Sequence, residues 1–236
     1  MRLTLKIFSI GMHVVLRDAI MLFLIPAPLL VGIAFRFLLP WLNQLLLVRS
    51  SFSLEPWYPI TDGLMIILTP TLLTMSSAFL LLEECDEGLG NYYQITPASH
   101  LQYLFARIGI PAIWGFLCAI VITRWFALSD ISLLTTISAS IIATLFGIAV
   151  AMMIVSLASN RVEGLAVSKL TGITLMGLIV AGLVSDSWRW FTSILPSFWV
   201  GQLIFEKDLW PTLLLGTLVC LFWFILFTKR FIKKIS

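Results

Sequence analysis

Apolar residues run along this chain in long blocks separated by short polar stretches. Against a requirement of roughly 20 residues to cross a hydrocarbon core, six blocks stand out: Ala19–Leu39, Gly63–Leu82, Ile108–Thr123, Ile131–Ala158, Leu170–Val184 and Leu209–Thr228. The third and fifth are short, and extension toward Tyr103 and Leu165 would bring them to spanning length. Ahead of the first block, Leu3, Ile7, Ile10, Val14 and Val15 recur near one side of a helix, with Lys6, His13 and Arg17 toward another. That spacing predicts a helix over residues 1–18 lying in the membrane interface; a frayed tail is the plainer alternative. The block after it is longer than a secretion-signal core and lacks a cleavage pattern, so it is expected to be retained.

Two connections on one side are rich in aromatics. Pro40–Ile60 contains Trp41, Trp57 and Tyr58, residue types that collect at headgroup level. Residues 185–208 hold Trp188, Trp190, Phe191, Phe198, Trp199 and Phe205, yet are interrupted by Pro196 and Gly201. The segment is too apolar for a solvated loop and too broken for a span, so it is expected to form short re-entrant helices. The predicted fold is therefore an all-α integral membrane protein of one domain, 1–236. It has six transmembrane helices, an N-terminal interfacial helix and a broken helical segment before the sixth span.

Composition removes the soluble alternatives. Charged residues make up 11% of the chain and mean hydropathy is +1.04, against about 25% charge in soluble domains. Orientation follows from the basic residues. The side carrying both termini holds ten, Arg2, Lys6, Arg17, Arg107, Arg161, Lys169, Lys229, Arg230, Lys233 and Lys234, and the other side five, Arg36, Arg49, Arg124, Arg189 and Lys207. The excess places both termini in the cytoplasm of a bacterial-type plasma membrane.

Candidate chemistry is sparse. Cys85, Cys118 and Cys220 are scattered, and His13 and His100 are far apart, so neither a disulfide framework nor a metal site is expected. None of the 14 glycines precedes a lysine, which excludes a phosphate loop in this chain. Glu83-Glu84 lacks the arginine and intramembrane histidines that one class of membrane protease needs, and no His-Glu-x-x-His exists. The spans hold almost no ionisable side chains, which disfavours ion-coupled transport; Arg36 and Asp62 sit near span ends, where snorkelling suffices. The fourth span carries Thr136, Ser140 and Thr144, either a polar pathway lining or hydroxyls used in close helix packing.

The segment 83–107 is the distinctive one. Glu83, Glu84, Asp86 and Glu87 cluster at a span end on the otherwise basic face; Gly88 and Gly90 permit a turn, and Thr96-Pro97-Ala98-Ser99 reads as a stop followed by a helix cap. On its own the acidic cluster could be a solvated loop. In this order, however, the segment resembles the connection between the second and third spans of type-2 ABC transporter permeases. Leu16-Arg17-Asp18 and the broken segment before the sixth span also look like that family. The look is nearest to small drug- and antibiotic-export permeases, with haem-export permeases as a competitor.

The resemblance implies a partner ATPase subunit that carries the ATP and magnesium, with no cofactor in this chain. Glu83, Glu84, Asp86, Glu87, Gly88, Thr96 and Pro97 would couple to it. Pro196, Phe198 and Trp199 would form the outer gate. It also implies a second permease chain, identical or similar, in a lipid bilayer, with no nucleic-acid role. The nearly uncharged spans and aromatic outer segment favour an amphipathic or apolar cargo. A membrane-embedded enzyme and an immunity protein are the rival readings.

Overall fold

The computed structural model describes residues 2–86, 100–184, 187–206 and 208–235. All regular structure among them is helical. Six helices are long and apolar enough to cross a membrane: Ala27–Ser50, Glu55–Asp86, Gln102–Phe126, Leu133–Leu157, Arg161–Leu183 and Leu209–Phe231. In hydrocarbon each backbone N–H and C=O must be satisfied within the segment, and the helix does this. The chain is a multi-pass membrane protein.

The first helix, α1 (Arg2–Arg17), forms as its spacing predicts. Its stripe Ile7, Gly11 and Val15 is buried against the protein, while Leu5, Ile10 and Leu16 are exposed. Lys6, His13 and Arg17 lie on the exposed side. Asp18 then ends α1 and caps α2 (Ala19–Leu24), its carboxylate accepting from the Ile20 and Met21 amides at 2.9 Å.

The expected first span, Ala19–Leu39, is misplaced. Pro26 separates α2 from α3 (Ala27–Ser50), and the apolar run continues as helix well past Pro40. Residues 40–50 are therefore helical, and the connection to the second span is short. Ser51 closes α3 with a φ of 55°, and the Asn43 side chain accepts from the Leu54 amide at 2.7 Å to hold the return.

The second span, α4 (Tyr58–Asp86), and the fourth, α7 (Leu133–Leu157), are the buried central pair. The third begins with α5 (His100–Leu104), passes through a π-helical turn at Phe105–Gly109 and continues as α6 (Ile110–Phe126). The fifth is built from α8 (Arg161–Ser168) and α9 (Leu170–Leu183). A 3-10 helix at Ser187–Ile194 and α10 (Pro196–Phe205) precede the sixth span, α11 (Leu209–Ile235).

Glycines set the closest approach at the centre. A Cβ on Gly115 would lie 2.7 Å from the Pro70 Cα, and one on Gly147 would lie 3.2 Å from the Pro70 carbonyl. Thr74 places its hydroxyl 2.9 Å from the carbonyl oxygens of both Pro70 and Gly147. Small residues and a hydroxyl thus hold α4, α6 and α7 together, the packing that helices in lipid favour.

Candidate functional site

Two charged nodes organise the face that carries the chain termini. In the first, Arg107 lies in the π-helical turn and is only 2% exposed. Its Nε donates to Glu84 Oε2 at 3.1 Å, its Nη2 pairs with Glu84 Oε1, and its Nη1 donates to the Ile7 carbonyl at 3.0 Å. Tyr103 donates its hydroxyl to the same carboxylate. Glu84 ends the second span, Arg107 begins the third and Ile7 belongs to α1, so three elements meet on one guanidinium. Gly11 makes this possible, because a Cβ there would overlap the Arg107 side chain.

The second node joins segments far apart in sequence. Arg161, at the start of α8, pairs with Asp18 at 2.5 Å and with Glu83 at 3.9 Å. The guanidinium holds the Asp18 carboxyl below its ordinary range, helped by the two amides that Asp18 caps and opposed by partial burial. Asn160 caps α8 through the Glu163 amide, and Glu163 reaches back to the Ser159 amide, which fixes the arginine's starting point.

The expected coupling residues therefore divide. Glu84 was expected to face a partner from the mouth of the span; instead it is 6% exposed and committed to Arg107 and Tyr103. Glu83 is half-buried beside Arg161, and Asp86 is exposed at the end of α4. Glu87, Gly88, Thr96 and Pro97 lie outside the described residues.

On the opposite face, the broken segment folds as two short helices. Pro196 takes the first turn of α10, where its missing N–H is harmless. Phe198 and Trp199 are buried, not displayed, and pack edge to face with centroids 5.5 Å apart. Trp199 donates its indole N–H to the Ser193 carbonyl at 2.7 Å, and Trp223 of the sixth span donates to Ile194 at 2.8 Å. A Cβ on Gly177 would meet the Phe198 amide nitrogen at 2.8 Å, so that glycine admits α10 against the fifth span. Asp62 does not snorkel. It is 1% exposed and accepts from the amides of Leu128, at 3.0 Å, and Ser129, at 2.8 Å.

Threonine hydroxyls of the fourth span bond within their own helix. Thr136 and Thr144 donate to the carbonyls of Ser132 and Ser140, at 3.0 and 2.7 Å, and the Thr136 and Ser140 side chains are fully buried. None of the three lines either of the two main cavities among the described residues. The larger cavity, about 590 Å³, lies elsewhere, between α1, α3, α4 and α6.

Sequence reasoning missed both nodes. A signal was present for the first: Glu84 and Arg107 each flank an apolar run, and an unpaired charge there would be costly, so the two ends of one connection are natural partners. Asp18 with Arg161 had no such local cue.

A family of known proteins matches the sequence of this chain from within α1 to near the end of the sixth span. Its description is "Fluoroquinolones export permease protein Rv2686c-like", and the match covers residues 12–228. The chain belongs to this Rv2686c-like family. Two curated relatives are each 23% identical to this permease over 207 residues, covering 85% of its chain and 82% of theirs. They are the fluoroquinolones export permease proteins MT2760 and Rv2686c, from Mycobacterium tuberculosis strains CDC 1551 / Oshkosh and ATCC 25618 / H37Rv. No solved structure matches. The match fits a drug-export permease subunit of the type-2 ABC kind, a transport subunit rather than an enzyme.

Proposed function

We propose that this permease moves amphipathic, drug-like molecules outward across the plasma membrane, with fluoroquinolones as the first class to test, powered by a separate ATPase subunit. The observation that carries the reading is the family match across nearly the whole chain, on a fold with six spans. Fluoroquinolones enter because the relatives' names specify them. Both termini face the cytoplasm, where the basic residues concentrate. ATP and magnesium belong to the partner, and a second permease chain completes the pathway.

The nodes suit this reading. The connection 87–99 is the segment that the ATPase would grip. The helices on either side of it are bridged by Glu84 and Arg107, and Arg107 also holds α1. Glu83, through Arg161, reaches the fifth span and Asp18. A push on the connection is thereby shared among α1 and the second, third and fifth spans. The outer helices would open in response, with Pro196, Phe198 and Trp199 as the outer gate.

The test is isolation of the tagged chain from its native membranes in mild detergent, with mass identification of what accompanies it. A stoichiometric ATPase bearing a phosphate loop is expected, together with ATP-dependent norfloxacin accumulation in inverted vesicles that hold both subunits. A chain that purifies alone under every detergent condition would remove the coupling mechanism.

A further inference from the structure

We infer that the cavity between α1, α3, α4 and α6 is a lateral entry site, one in each chain, that takes planar aromatic amphiphiles from the hydrocarbon of the membrane. The inference rests on the export reading and names where the substrate first binds. At about 590 Å³ the cavity falls within the range of 300–1,000 Å³ typical of drug-sized sites. Its lining includes Trp114, Leu117 and Val121, which are exposed on the outside of the third span. A molecule dissolved in lipid could thus enter between the first and third spans without passing through water.

The walls specify the class of molecule. Met12, Leu29 and Trp114 offer apolar and aromatic surface for a flat ring system, and the mainly apolar wall also includes Arg107, Ser76 and Ser77. Pockets that orient a ligand have this composition, mainly apolar with a few convergent polar groups. The second cavity, about 340 Å³ between the fourth, fifth and sixth spans, has accessible walls that are apolar throughout. It suits a lipid chain, and the contrast separates the two. The larger cavity is also joined to the Glu84–Arg107 node: Arg107 lines it and holds α1, which supplies Gly11, Met12 and Val15 to its wall. A displacement of the connection would therefore move the wall and floor of the site together.

The experiment measures norfloxacin binding to the purified permease in lipid nanodiscs through the drug's own fluorescence anisotropy. Cys118→Phe places a ring in the cavity and should weaken binding at least tenfold. Trp114→Phe keeps an aromatic wall and should bind within about twofold of wild type, whereas Trp114→Ala should lose about tenfold, as expected for a lost stacking contact. Leu218→Phe, at an exposed position of the sixth span outside the cavity, is the control and should change nothing. Unchanged binding by a monodisperse Cys118→Phe protein would overturn the inference. If that variant does not fold, equal binding by Trp114→Ala and wild type has the same force. A phospholipid retained by wild type and released by Cys118→Phe, with norfloxacin binding unaltered, would assign the cavity to lipid instead. ATP-driven norfloxacin export that survives Cys118→Phe would sink the entry site and leave the export function standing; no export by the wild-type complex would sink the function itself.

Discussion

Replacing Arg107 by leucine tests whether the first node is a coupled unit. The substitution removes a guanidinium that is 2% exposed and engaged with both Glu84 oxygens and the Ile7 carbonyl. The Glu84 carboxylate, itself 6% exposed, would keep only the Tyr103 hydroxyl. Breaking a buried pair from one side leaves an uncompensated charge and costs about 3–5 kcal/mol. Replacing both residues by leucine removes the charge along with its partner, and such exchanges are often neutral or stabilising. The double variant should therefore be more stable than the Arg107→Leu single, with a coupling of about 3 kcal/mol. In thermal unfolding of the purified chain in mild detergent, 3–5 kcal/mol corresponds to a Tm loss of roughly 6–20 °C for a chain of this size. If the double variant loses the sum of the two singles within about 0.5 kcal/mol, the residues act independently and the node has no energetic reality.

Three further outcomes follow from the same geometry. Arg161 depresses the Asp18 carboxyl below its ordinary value of 3.8, so its stabilisation is present above that value and is lost as pH falls through the lower folded value. Wild type should accordingly lose Tm more steeply than Asp18→Asn below about pH 4, and parallel curves would remove the pair from the stability of this face. Gly115→Ala should cost about 1–3 kcal/mol, because the new Cβ meets the Pro70 backbone. Gly172→Ala, with open space around it, should stay within about 0.5 kcal/mol, and unfolding in detergent compares the two. Trp199→Phe deletes the donor to Ser193 and should cost about 1 kcal/mol; normal membrane insertion with reduced vesicle transport would support a gating role, and unaltered transport would exclude one.

The spans were legible because hydrocarbon imposes one demand, about 20 apolar residues in a helix, and the apolar blocks meet it. The one misplaced span, Ala19–Leu39, was carried across Pro26 and ended before Pro40. Pro26 does break the chain, but Pro40 and Pro70 lie inside continuous helices, since neighbouring helices and hydroxyls such as Thr74 can serve the backbone around a membrane proline. The hydroxyls of the fourth span illustrate a different limit. Composition cannot tell a pathway lining from a packing seam; burial separates Thr136 and Ser140, which are enclosed within the chain, from Thr144, which is only partly buried.

The described part of the acidic cluster shows how neighbours in sequence can take different places in the fold. Glu83 and Glu84 are adjacent in sequence, and on a helix adjacent side chains diverge by about 100°. One turns toward Arg107 inside the protein and the other toward Arg161 at its edge. Among the described residues, the cluster read as a single acidic surface is thus two internal ties, with Asp86 exposed at the helix end. This division changes what mutation of the cluster means. Loss of transport in a Glu84 variant would report a broken link between α1 and the third span, whereas loss in an Asp86 variant with unchanged Tm would report a lost contact with the ATPase.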